Sequence, residues 1–104
     1  MAYNAYIIMI VEENAVKAIV SVFAKDAKGI TAYVAALLAE KEINILDISQ
    51  TLMQEFFAMI MLVDLTDCAA PFDELAHFLQ EKGEERCLDI HIQRQDIFEA
   101  MHRI

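Results

Sequence analysis

Glycine is almost missing from this chain. With only Gly29 and Gly83, neither the GxGxxG fingerprint of a dinucleotide site nor the GxxxxGK[ST] of a phosphate loop can be written, and no GxSxG occurs. Cysteine is equally scarce. Cys68 and Cys87 make neither a CxxC pair nor the framework of a secreted domain, so a reduced, cytoplasmic location is expected. Basic residues are few: 8 Lys and Arg against 17 Asp and Glu give a net charge of -9. A potential of that sign repels phosphate backbones and anionic lipid, so neither nucleic acid nor membrane is expected as a partner. Long apolar runs are absent too. The stretch 6–11 (Tyr-Ile-Ile-Met-Ile-Val) is far short of the roughly 20 residues a spanning helix needs, and no Lys or Arg precedes it as in a signal peptide.

What is present is apolar. Of 104 residues, 58% are hydrophobic, enough for one core and too few residues for two. Residues 1–15 read as an N-terminal extension and 16–104 as the domain proper. The extension has two readings. One is an extra strand over residues 6–11. The other is a translated leader, with Val16 encoded by a GTG start and residues 11–13 by a purine-rich ribosome-binding run, which the nucleotide sequence would decide.

From residue 16 to 24, Ala18, Val20 and Val22 point one way and Ile19, Ser21 and Phe23 the other, and both sets are largely apolar, as in a central strand. Ile30, Val34, Leu37, Leu38 and Lys41 then recur at helical spacing, and 31–42 reads as a helix. Ile43 opens a second strand to about Met53, with Leu46, Ile48 and Leu52 assigned to one face and Ile45, Asp47, Ser49 and Thr51 to the other. Gln54-Glu55 reads as a turn, residues 56–65 as a second central strand. Ala70-Pro71 marks a helix entry, Phe72, Leu75, Ala76 and Leu79 its buried stripe, and Gly83 its end. Residues 86–94 alternate, with Leu88, Ile90 and Ile92 inward. Asp96 would cap a short terminal helix bearing Ile97, Phe98, Met101 and Ile104.

The order β-α-β-β-α-β predicts an α+β, ferredoxin-like sandwich: one four-stranded antiparallel sheet with two helices on a single face. Such a sheet leaves one face bare. Because the central strands are apolar on both sides, the bare face or an exposed edge calls for a cover, either the terminal segments or a second copy, so a homo-oligomer, most simply a dimer, is expected.

For chemistry, the row Cys87, Asp89 and His91 suggests nucleophile, acid and base. Yet Cys87 and His91 stand four residues apart, about 13 Å along a strand, too far for a thiol–imidazole hydrogen bond. No catalytic set is expected. His77 and His102 lack any HxxxH or CxxC companion, so neither a metal site nor a cofactor is expected. Cys68 reads as a small buried residue, the methionines as core filler, and the pairs Asp73-Glu74 and Glu84-Glu85 as solubilising charge on exposed turns. What remains is the bend Lys25-Asp26-Ala27-Lys28-Gly29-Ile30. In one reading Gly29 only relieves a tight turn and Asp26 only caps the helix. In the other, the backbone N–H groups of Gly29 and Ile30 hold a carboxylate while the Asn44 side chain, from the same subunit or across a dimer seam, holds an amino or carbonyl group.

These residues resemble a known family. The bend at 25–30 followed by Asn44-Ile45 and Asp47-Ile48-Ser49-Gln50-Thr51 is similar to the ACT domain, and the close Ile97-Phe98-Glu99-Ala100-Met101-His102-Arg103-Ile104 is similar to the end of the stand-alone ACT proteins grouped as UPF0237. The resemblance spans residues 16–104 and extends to the ACT domains of the glycine cleavage system transcriptional repressor. It implies a βαββαβ fold, dimerisation and regulatory binding of an amino acid or related metabolite, without catalysis, and a separate protein partner to receive the signal. Gly29 and Asn44 carry over. With their neighbours Asp26, Ile30 and Ile45 they form the expected ligand-binding set. A protein–protein interaction domain that needs no small molecule is the alternative.

Overall fold

The computed structural model describes residues 16–25 and 28–94. The extra strand at 6–11, the roles given to Asp26 and the terminal helix from Asp96 lie outside them. Six elements follow in the expected order: β1 (Lys17–Ala24), α1 (Ile30–Glu40), β2 (Asn44–Met53), β3 (Phe56–Asp64), α2 (Phe72–Glu84) and β4 (Asp89–Arg94). The strands form one sheet in the order β2-β3-β1-β4, every pairing antiparallel. This is the ferredoxin-like arrangement. The two strands that the sequence makes apolar on both sides, β1 and β3, are the central ones.

Alternation places Ala18, Val20 and Val22 of β1 and Phe57, Met59, Met61 and Val63 of β3 on one face, buried in a single core with Ile30, Val34, Leu37 and Leu38 of α1, Leu75 and Leu79 of α2, and Ile90 and Ile92 of β4. Both helices therefore cover the same side of the sheet. Full burial of each such side chain contributes about 1.5–3 kcal/mol. On the opposite face Phe23, Phe56 and Ile60 remain exposed. No helix among the described residues is long and apolar enough to cross a membrane.

Four expectations need correcting. A register shift between Ile45 and Asp47 inserts Leu46 as a bulge, which reverses the face of every later residue relative to Ile45. Ile45, Ile48, Gln50 and Leu52 therefore share the helix side, and Asn44, Asp47, Ser49, Thr51 and Met53 the open side. Neither face of β2 is buried as its alternation would suggest: it is an edge strand in which only Ile45 is even half-buried. Second, Gly83 does not end α2. It is buried inside the helix, where an added Cβ would stand 2.9 Å from Ile90 Cγ1 and from the Leu88 carbonyl oxygen, so it allows α2 to lie close on β4. Third, β4 begins at Asp89, because Arg86 and Cys87 form a turn. Fourth, Asp73 and Glu74 occupy the first turn of α2 rather than a loop, where they oppose its positive end.

The two helices end alike. After α1, Glu42 takes φ 61°, its N–H donates to the Ala39 carbonyl, and Ile43 N–H donates to the Leu38 carbonyl at 2.9 Å. After α2, Cys87 takes φ 59°, its N–H donates to Glu84, and Leu88 N–H donates to the Gly83 carbonyl at 2.8 Å. Both are Schellman stops, with Ile43 and Leu88 buried beyond them. Each uses a non-glycine residue in the left-handed position.

Candidate functional site

Gly29 is where β1 hands over to α1. It has φ 73° and ψ 0°, its carbonyl accepts the first helical bond from Tyr33 N–H at 3.1 Å, and as the N-cap residue it brings no side chain of its own to cap the helix. The N–H groups of Ile30, Thr31 and Ala32 thus have no partner within the helix. A Cβ built on Gly29 meets nothing within 4 Å. The glycine is therefore required by its backbone sign, not by crowding, and its backbone is open to approach.

The rest of the expected set is spread across the fold. Ile30 is a core side chain, so only its N–H faces a ligand. Ile45 is half-buried against the core on the helix side. Asn44 is exposed and paired with Asp64, which in turn pairs with Lys17 at the start of β1. Gly29 follows Ala24, at the other end of that strand. Seven strand steps put the Lys17 and Ala24 ends of β1 about 23 Å apart. A single chain does not bring Gly29 and Asn44 together.

Other residues do gather beside Gly29. Ala24, Lys25, Lys28, Ile30 and Tyr33 from the bend and α1 meet Arg86, Cys87 and Leu88 from the α2–β4 turn around a cleft of about 210 Å³. The Arg86 guanidinium lies 4.3 Å from the centre of the Tyr33 ring, and Tyr33 Oη donates to the Lys82 carbonyl at 2.7 Å. Arg86 lies far from Gly29 in sequence, and no spacing rule joins them. Only the pairing of β1 with β4 does.

The suspected row on the last strand comes apart. Cys87 belongs to this cleft, whereas His91 Nε2 and Asp89 Oδ1 lie 2.8 Å apart on the exposed sheet face. His77 pairs with Glu81 on the surface of α2 at 2.7 Å. Cys68 is half-buried against the core. Among the described residues no three His, Cys, Asp or Glu groups are placed to hold a metal ion.

The ACT-domain family profile matches residues 17–93. The chain belongs to the ACT-domain family. It is 51% identical over 88 residues to a UPF0237 protein of Clostridium acetobutylicum, an alignment covering 85% of this chain and 99% of that one. A UPF0237 protein of Methanocaldococcus jannaschii is 47% identical over 85% of this chain and 98% of its own. Among solved structures, an ACT domain protein from Streptococcus pneumoniae superposes with a TM-score of 0.74 at 41% identity, covering 83% of this chain and 97% of that one. A putative glycine cleavage system transcriptional repressor shares the fold, with a TM-score of 0.65 at 19% identity, over 78% of this chain and 46% of that one. At this level the protein is a regulatory-type domain, an ACT domain of the UPF0237 kind.

Proposed function

We propose that this ACT domain is a non-enzymatic, cytoplasmic sensor that binds an amino acid or similar small metabolite at a seam between two copies and passes the signal to a separate protein. The supporting observation is the placing of a left-handed Gly29 at the helix entrance at one end of the sheet and Asn44 at the other, on the edge strand β2. If two β2 edges pair antiparallel about a twofold axis, the Asn44 end of one chain meets the Met53 end of its partner. The partner's Gly29 bend lies at that same end. A ligand carboxylate would then accept from the Gly29 and Ile30 N–H groups of one chain, while Asn44 of the other takes the amino group. Occupancy stabilises this dimer over any arrangement that leaves the seam open, and that difference in affinity is the signal.

Calorimetry with the common amino acids tests this reading. Heat and a raised melting temperature are expected for at least one, both lost in Asn44→Ala, with an oligomer in sedimentation. No heat and no shift at millimolar concentration would turn the assignment to the second reading, a docking domain without a small ligand. One observation favours that alternative: Leu52, Met53 and Phe56 are all more than half exposed at the tip of the β2–β3 hairpin.

A further inference from the structure

The open face of the sheet is uneven, and strand register fixes where its bumps and dips fall. Phe23 is 47% and Ile60 44% exposed. Each stands beside a small residue directly across on the adjoining strand, Phe23 beside Ala58 and Ile60 beside Ser21, and both small residues are half-buried. A groove of about 300 Å³ lies over Ser21, walled by Ile19, Phe23 and His91. Toward the rims the face turns polar, with Ser49 and Thr51 on the edge strand β2 and Asp89 and His91 on the edge strand β4. Lys17 and Asp64, cross-strand neighbours, stand at one end of β1 and β3.

We propose that this face packs against the same face of a second copy, about a twofold axis that runs along the strands between β1 and β3. Such an axis lays β1 of one chain over β3 of the other at the same level. Phe23 then sits over the partner's Ala58, and the groove over Ser21 receives the partner's Ile60. Each contact sets a large side chain on a small one, and each is made twice. Lys17 comes opposite the partner's Asp64, while Asp89 and His91 come opposite the hydroxyls of the partner's Thr51 and the partner's Ser49. The other twofold in the plane of the face, across the strands, would oppose Ile60 to the partner's Ile60 and turn Lys17 toward the Lys25 end of the second β1. Size and charge therefore select the same axis. A copy of this chain is the fitting occupant, because the face itself supplies every complement. The contact does not use the β2 edge, so it stands or falls apart from the amino-acid seam.

Two complementary variants of the full chain test the fit. Phe23→Ala sets a hole opposite a hole and Ala58→Phe a bump opposite a bump, so each alone should lower the sedimenting mass, with association about tenfold weaker or more. Mixed one to one, the two variants offer a bump to every hole, and a particle containing both is expected at parent-like affinity. Circular dichroism checks that each variant folds, and Ala58→Leu replaces Ala58→Phe if that one does not. Lys17→Glu, brought against the partner's Asp64, should also weaken association, with Lys17→Arg close to the parent. The proposal is overturned if Phe23→Ala associates as the parent does, or if the mixture associates no better than either variant alone. It is equally overturned if Phe23→Ala destabilises the chain by the same amount at every concentration, which would assign this face to one of the chain's own terminal segments. Amino-acid heats in Phe23→Ala and Asn44→Ala bear on the seam alone, so the two readings fail separately.

Discussion

The two faces of the sheet share the same four strands, and along β3 they differ from one residue to the next. Met59 and Met61 are fully buried, while Ile60 between them is 44% exposed. In β1, Val22 is fully buried and its neighbour Phe23 is 47% exposed. In the middle of β1 and β3 the side chains on the two sides are similarly apolar, so there hydrophobicity alone does not choose the inner face. The helices do, because α1 and α2 both return to one side. The centre of the open face, at Phe23, Phe56 and Ile60, is apolar and uncovered among the described residues, which is the physical case for a partner there or along the adjoining β2 edge.

Truncation tests that contrast directly. Leu79→Ala, on the closed side, removes a fully buried side chain and is expected to lower unfolding free energy by about 2–5 kcal/mol. Ile60→Ala, on the open side, should cost under about 1 kcal/mol in an isolated chain, since much of that side chain is already in water. Urea titrations across a range of protein concentrations measure both. If Ile60→Ala costs as much as Leu79→Ala, and does so only at high concentration, the open face is covered in the assembly.

Gly83 sharpens the comparison from the closed side. Its missing side chain sets how near α2 lies to β4, with Ile90 Cγ1 and the Leu88 carbonyl each 2.9 Å from where a Cβ would stand. The isoleucine tip can turn away, but the carbonyl cannot move without disturbing the α2 stop, where Leu88 N–H is bonded to the Gly83 carbonyl. Gly83→Ala is therefore expected to destabilise by about 1–3 kcal/mol, read from the urea midpoint. Gly29→Ala should lose only about 1 kcal/mol, through its positive φ alone.

Residue periodicity made much of this legible. The stripe Ile30, Val34, Leu37, Leu38 is the buried face of α1, and Ala18, Val20 and Val22 are the buried face of β1, as spacing alone predicts. What escaped were features set by single residues or by distant contact. The bulge at Leu46 follows no period, and it moved Ile45 from the expected face of Asp47 to that of Ile48 and Leu52. Gly83 near the end of a helical pattern is indistinguishable in sequence from a stop, because the close approach of Ile90 that requires it comes from another element. The Gly29 bend was legible from its glycine. Arg86 and Tyr33 were not, because only the β1–β4 pairing and the packing of α2 carry them to the same cleft.

The smallest expected effect lies where the closed face is sealed at its ends. Glu42 and Cys87 hold left-handed conformations that glycine adopts without a Cβ penalty, and each sets an apolar residue, Ile43 or Leu88, into the core. The hydrogen bonds of these stops come from the backbone, so replacing the side chain leaves them intact. Relief of the left-handed strain favours glycine by about 1–2 kcal/mol, while its greater freedom in the unfolded chain takes back about 0.4–1 kcal/mol. Glu42→Gly is therefore expected to stabilise by up to about 1 kcal/mol, raising the urea midpoint with no change in slope. A loss of stability instead would mean that the Glu42 side chain contributes more than its backbone strain costs, and that the end of α1 is held by something other than the buried pair Leu38 and Ile43.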